Sequence, residues 1–238
     1  MKTLLAAAVI LAFPAVTHAG DWGGLFSAVT LASDYRYQGV SESRGRPVVQ
    51  GYLHWWRPDG FYAGVFVTQV DFGYPGAPTF EVDSYAGKNL QFDGGKTELK
   101  LEGMYTAFPD NRTPGPTFDF IQAKAQVKRT AGPWTLIGLA SYVPESSYGS
   151  GPVRRVEGEA DFAVSKGLTL KAQLGNQGGG RGHERTYWSL GVATTWKTLG
   201  FELRYQGNDR TRANCGFLPK ACDPAVVGTM TVSLPPIL

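Results

Sequence analysis

The sequence predicts an all-β chain that closes into a transmembrane antiparallel β-barrel of about 12 strands, with short turns at one end and longer loops at the other. Three features support this: strand-like segments joined by alternately short and long connections, a period of two in side-chain polarity, and aromatic residues gathered at segment ends. Composition agrees. Thirty-one glycines and 13% aromatic residues come with little of the Leu/Ala/Glu/Lys periodicity that helices require.

At the amino terminus, MKTLLAAAVILAFPAVTHA has a lysine, an apolar run of about ten residues, and small or polar residues before Gly20. This is the plan of a cleaved secretory signal over residues 1–19, with Thr17 and Ala19 at the cleavage-site positions. The apolar run is shorter than the roughly 20 residues of a spanning helix, and no later stretch approaches that length. Residues 20–238 are then one exported domain. Loss of Lys2 leaves 22 Lys plus Arg against 20 Asp plus Glu, a formal charge of +2. So small an excess argues against nucleic acid as a partner.

Along the chain, tight turns are expected at RPDG (57–60), FDGG (92–95), TAGP (130–133), SKG (165–167) and KTLG (197–200). Between them lie the longer GVSESRG, GYPGAPT, PDNRTPGPT, PESSYGSGP, GGGRGHE and GNDRTRANCGFLPKACDPA. Short and long alternate throughout. A soluble sandwich has no reason to keep its long loops at one end, whereas an outer-membrane barrel pairs short periplasmic turns with long extracellular loops.

Side-chain faces follow the same plan. In KTELKLEGMYTAF, Leu99, Leu101, Gly103 and Tyr105 oppose Glu98, Lys100, Glu102 and Met104. In VRRVEGEADFAV, Arg155, Glu157, Glu159 and Asp161 oppose Val156, Gly158, Ala160 and Phe162, and FELRYQG sets Glu202, Arg204 and Gln206 against Phe201, Leu203 and Tyr205. The polar faces are expected to line a lumen, which the same alternation extends to Lys124, Lys128 and Lys171. Six acids then meet six bases, too balanced for a strong single-sign ring. Twelve tilted strands give a backbone radius of roughly 12 Å, with about 5 Å left free by side chains.

Aromatic residues fall where bilayer interfaces would lie. Trp55, Trp56, Phe61, Tyr62, Trp134, Trp196 and Phe201 flank the short turns. Tyr35, Tyr37, Phe72, Tyr105, Phe118, Tyr142 and Tyr205 sit near the long loops, so Tyr35 and Tyr37 are expected to mark the exit of the first strand from the membrane.

The segments SDYRYQGVSES, RPVVQGYLHW and GFYAGVFVTQVDF, in this order and spacing, resemble the amino-terminal signature of the TorF-type porin family, exported proteobacterial proteins defined largely by sequence. The chain departs from that family at Gln38, where Arg is usual, and at Glu42, where Gln or Asn is usual. The resemblance implies a channel-like protein of the bacterial outer membrane, delivered by the barrel assembly machinery and surrounded by outer-membrane lipid. Its final LPPIL lacks the usual terminal aromatic, so the expected assembly signal is either imperfect or displaced upstream to MTVSL.

Candidate chemistry is sparse. Cys215 and Cys222 are expected to form a disulfide in the last long loop of this exported chain, since too few ligands lie nearby for a metal. His54 shares an inward face with Gln50 and Tyr52. His183, with Ser189 and Glu184, is the best that can be assembled toward a lipid-modifying hydrolase, and its spacing and Gly-rich setting are poor for a triad. GGGRG lacks the strand–loop–helix surroundings of a phosphate cradle. No catalytic residue, cofactor or metal is expected. Passive diffusion of small polar solutes or ions is the leading function, with an outer-membrane lipid-modifying enzyme, of phospholipase or lipid A deacylase type, and a structural barrel with a blocked lumen as alternatives.

Overall fold

The structure is a computed structural model that describes residues 23–215 and 218–235, so the expected signal at 1–19 lies outside the described residues. In chain order the strands are β1 (Gly24–Ala32), β2 (Arg36–Tyr37), β3 (Val40–Ser41), β4 (Val48–Trp56), β5 (Phe61–Gln69), β6 (Phe80–Phe92) and β7 (Thr97–Ala107). There follow β8 (Phe120–Ala131), β9 (Trp134–Val143), β10 (Val153–Ser165), β11 (Leu168–Gly179), β12 (Arg185–Trp196), β13 (Leu199–Asn208) and β14 (Ala225–Leu234). Twelve of them close a single antiparallel barrel, in which β1 pairs with β4 on one side and β14 on the other. β2 and β3 form a separate small hairpin.

The alternation of connections is that of the sequence. Segments 57–60, 93–96, 132–133, 166–167 and 197–198 turn tightly at one end; segments 33–47, 70–79, 108–119, 144–152, 180–184 and 209–224 occupy the other. Gly24 pairs with Trp56 and Leu234 with Ser27, so both ends of the described chain lie at the short-turn end.

Polarity is inside out. Ile121 (62% exposed), Leu174 (62%) and Leu190 (60%) point outward with Leu101, Leu136, Val156 and Val226. Polar side chains fill the interior, with Gln50, Thr106, Gln122, Glu159 and Ser189 all buried. A water-soluble barrel would reverse this arrangement, whereas hydrocarbon surroundings require it. Charged residues on the outer face, such as Lys88 and Arg129, lie near the short turns. Lys88 lays its ammonium 4.1 Å from the centre of the Phe61 ring, as a long cationic side chain does at a membrane interface.

Two sequence expectations need correction. The first strand ends at Ala32, before SDYRYQ, and the chain folds inward instead of continuing along the wall. Tyr35 and Phe118 are accordingly not interface residues but members of a buried cluster with Ala32, Val48, Val70 and Phe108, against which Tyr37 and Phe72 pack. The long loops supply these rings because they roof the barrel and need an apolar core of their own. Phe72 stacks on Phe118 at 5.8 Å, and Phe118 meets Phe108 edge-on at 5.6 Å. Tyr62, expected at the opposite interface, is buried inside. Tyr105, Tyr142 and Tyr205 at one end, and Phe61, Trp134, Trp196 and Phe201 at the other, are exposed on the outer face as expected.

Leu101, near the middle of β7 and exposed on the outer wall, tests the assignment of faces. Leu101→Arg is expected to destabilise the folded barrel by about 2–4 kcal/mol at midplane depth, and Lys100→Leu by much less. Urea unfolding in lipid vesicles, followed by tryptophan fluorescence, reads the difference; equal tolerance at the two positions would contradict the alternation.

Candidate functional site

The interior is a cavity of about 680 Å³. It extends from His54 and Tyr62 near the short turns to Ser147, Tyr148 and Arg210 in the long loops. The stretch SDYRYQGVSES forms the hairpin that lies inside it. Gln38 and Gly39 form the two-residue turn between β2 and β3, both with positive φ (54° and 76°), as a tight hairpin requires. Glycine is needed at 39 for a second reason, since a Cβ there would stand 2.3 Å from the Gly207 carbonyl oxygen.

Charge and serine hold the hairpin together. Asp34 pairs with Arg36 at 2.9 Å, their side chains 7% and 3% exposed, and also accepts hydrogen bonds from Ser41 Oγ (2.6 Å) and Ser43 Oγ (2.8 Å). A buried ion pair is tolerable when its remaining polar atoms are satisfied in this way. Arg36 Nη2 donates to three carbonyl oxygens: Gly39 at 2.6 Å, Ala221 at 3.0 Å and Asp223 at 2.5 Å. The last two belong to the loop closed by the Cys215–Cys222 disulfide, so that loop latches the hairpin.

Against β6 the hairpin presents Tyr35 and Glu42. Tyr35 Oη donates to Glu81 Oε1 at 3.2 Å, and Thr106 Oγ1 donates to Asp83 Oδ1 at 2.5 Å. Burial raises the Glu42 carboxyl to about 7; Asp83 adds to the rise, while Arg185 and a hydrogen bond with Tyr35 oppose it.

All twelve residues assigned to the lumen by alternation face inward, and the strand register arranges them in rows. Lys100, Glu102, Lys124, Arg155, Glu157, Glu159, Lys171, Glu202 and Arg204 border the cavity. Glu98, Lys128 and Asp161 share their face nearer the short turns, joined by Lys128–Glu98 (2.7 Å) and Lys171–Asp161 (2.9 Å) pairs. Lys124 pairs with Glu102 at 3.0 Å, Lys171 with Glu159 at 2.9 Å, and Arg204 with Glu159 and Glu202 at 3.1 and 2.7 Å. Alternation in β6 and β12 would also have found Glu81, Asp83 and Arg185; Asp34, Arg36 and Glu42 carry no such signal, because their loop enters the lumen only in three dimensions.

Three tyrosines bridge rows by lying over a glycine. Register places Tyr187, Gly175 and Glu157 side by side, and Tyr187 Oη reaches Glu157 Oε2 at 2.6 Å. A Cβ on Gly175 would sit 2.2 Å from the tyrosine ring. In the same way Tyr62 crosses Gly87 to donate to Glu102 (3.1 Å), and Tyr85 crosses Gly64 to meet His54 Nδ1 (3.2 Å). His54 stacks with Tyr52, Tyr62 and Tyr85 at 5.8, 5.3 and 5.9 Å, narrowing the short-turn end.

His183 is not brought to Ser189. Its Nε2 lies 3.1 Å from Ser150 Oγ, while Ser189 donates to Gln173 and accepts from Arg204, and Glu184 is exposed. Burial, reinforced by Arg185 and Arg210, holds the His183 imidazolium below its usual range.

Two outcomes follow. Thiol titration of the denatured, unreduced protein should find no free cysteine, and replacing both cysteines with serine should keep heat-modifiable migration while loosening the latch, the eight-residue ring being worth about 2–3 kcal/mol. Glu42 is protonated more readily folded than unfolded, so its contribution is fully present below its unfolded value of 4.5 and declines as pH rises through about 7. Amide exchange over residues 34–43, corrected for intrinsic rates, should therefore show more protection at about pH 5 than at about pH 8. Glu42→Gln should flatten that dependence, and protection rising with pH would contradict it.

Among curated proteins none matches. Solved structures of similar shape are an outer membrane channel of the COG4313 group from Pseudomonas putida F1 (TM-score 0.57, 10% identity, covering 94% of this chain and 100% of that one), the KdgM porin in complex with disordered oligogalacturonate (0.55, 9%, 89% and 98%), and the NanC porin (0.54, 10%, 87% and 97%). At such identities the likeness is one of fold. A family model described as "Bacterial protein of unknown function (Gcw_chp)" matches residues 20–234, and the chain belongs to that family.

Proposed function

We propose that this protein is a channel of the bacterial outer membrane through which small polar solutes or ions diffuse, its short turns periplasmic and its long loops extracellular. The observation that carries the reading is an interior cavity lined by charged and polar side chains among its aromatic ones, bordered by residues from both ends of a twelve-stranded barrel whose outer wall is apolar. The fold shared with outer-membrane channels and the resemblance to TorF-type porins support it. The inserted hairpin narrows the passage, so conductance is low and rises with salt.

Planar-bilayer recording of the purified protein tests this directly. Small current steps are expected, and a bilayer that stays sealed at every voltage would refute the reading. Substituting Lys124→Gln and Lys128→Gln together leaves Glu102 and Glu98 without the partners they have at 3.0 and 2.7 Å. The reversal potential in a salt gradient should then move toward cation preference.

A further inference from the structure

The inward cations differ in how they are compensated. Lys124, Lys128, Lys171, Arg204 and Arg36 each lie within 3.1 Å of a carboxylate oxygen. Arg155 and Arg185 make no such pair among the described residues, although both border the cavity. Their Nε atoms are buried without a hydrogen-bond partner. The nearest acids act on them only at a distance: Glu157 accepts a hydrogen bond from Tyr187 and does not touch Arg155, and Glu42, in the hairpin, faces Asp83 as well as Arg185.

Register sets Arg155, Gln177 and Arg185 side by side on β10, β11 and β12. The two guanidinium carbons lie 5.7 and 5.8 Å from the centre of the Tyr37 ring, carried there by the inserted hairpin. Arg155 Nη1 spends one donor on Tyr37 Oη (3.4 Å) and Arg185 Nη1 one on the His183 carbonyl (3.4 Å). Guanidinium groups with a buried Nε, unused donors and no carboxylate in contact gain from an anion that completes them. Their planar donor edges match a carboxylate, which can accept two parallel hydrogen bonds from one fork.

We infer that the long-loop mouth of the lumen is a binding site for a small carboxylate-bearing solute, gripped by Arg155 and Arg185 beside Tyr37. The inference deepens the channel reading and rests on it only for the route by which solute arrives.

Calorimetric titration of the folded protein in detergent with malonate is expected to show saturable binding, with malonamide, its uncharged counterpart, not binding. Arg155→Gln combined with Arg185→Gln should weaken malonate by about tenfold or more, while Lys88→Gln, on the outer face beside Phe61, should leave it within about twofold. If the double variant loses heat-modifiable migration, Arg155→Lys and Arg185→Lys replace it; they keep charge but lose the planar fork, and weaker binding is again expected. Inorganic phosphate bound as tightly as malonate would overturn the carboxylate assignment, and malonate binding unchanged in the variants would overturn the site. The same preparations in planar bilayers separate the two proposals. Conductance without malonate binding retires the site and leaves the channel, whereas malonate binding without conductance retires the channel and leaves the site.

Discussion

Closure of the β1–β14 seam is the constraint on which the rest depends. Six residue pairs from Ser27↔Leu234 to Ala32↔Thr229 join the first strand to the last, and with them the barrel has no open edge. In hydrocarbon an unpaired backbone N–H or C=O costs several kcal/mol, so an open sheet with this outer surface would not be stable there. Once the ladder is closed, a period of two leaves every second side chain facing lipid and every other one facing inward. Charges and amides can only go inside, and they must then be compensated in a confined space.

Compensation explains much of the interior. Neighbouring strands supply opposite charges at matching or diagonal register, as in Lys124 with Glu102 and Lys171 with Asp161. Tyrosines add to this by reaching carboxylates across an intervening glycine, as Tyr187 reaches Glu157 over Gly175 and Tyr62 reaches Glu102 over Gly87. The ring covers backbone that glycine leaves bare and brings a hydroxyl to an acid two strands away. Within the strands this gives glycine two of its placements: small residues on the outer face such as Gly103 and Gly138, with open space where a Cβ would be, and inward ones such as Gly64, Gly87 and Gly175 overlain by rings.

Strand count, the alternation of turns and loops, and the inward set of charges were legible because each is a local property of sequence. Hairpin connections are set by a few adjacent residues, and faces by a period of two. The fate of SDYRYQGVSES was not legible. Tyr35 and Tyr37 alternate with Asp34 and Arg36 as they would in a wall strand, and nothing local distinguishes a strand leaving the membrane from a hairpin turning inward. The deciding contacts, from Arg36 to the carbonyls of Ala221 and Asp223 and from Tyr35 to Glu81, are with residues far along the chain. The same limit applied to Phe72 and Phe118, whose aromatic character fits an interface and a loop core equally well.

Hairpin and lumen are consequently one electrostatic unit. An empty barrel would leave Arg155 and Arg185 facing a wide aqueous lumen, where water would solvate them. The inserted hairpin sets the Tyr37 ring against both guanidiniums and brings Glu42 toward Arg185 without an ion pair among the described residues. A ring face attracts a cation but cannot replace a carboxylate's charge or its lone pairs. The hairpin thus places an aromatic ring beside two arginines that have no carboxylate in contact, while the loop that contains the disulfide keeps it in place through Arg36. Under the proposed channel reading, sorting of solutes at this mouth would be set by a loop that contributes no strand to the barrel.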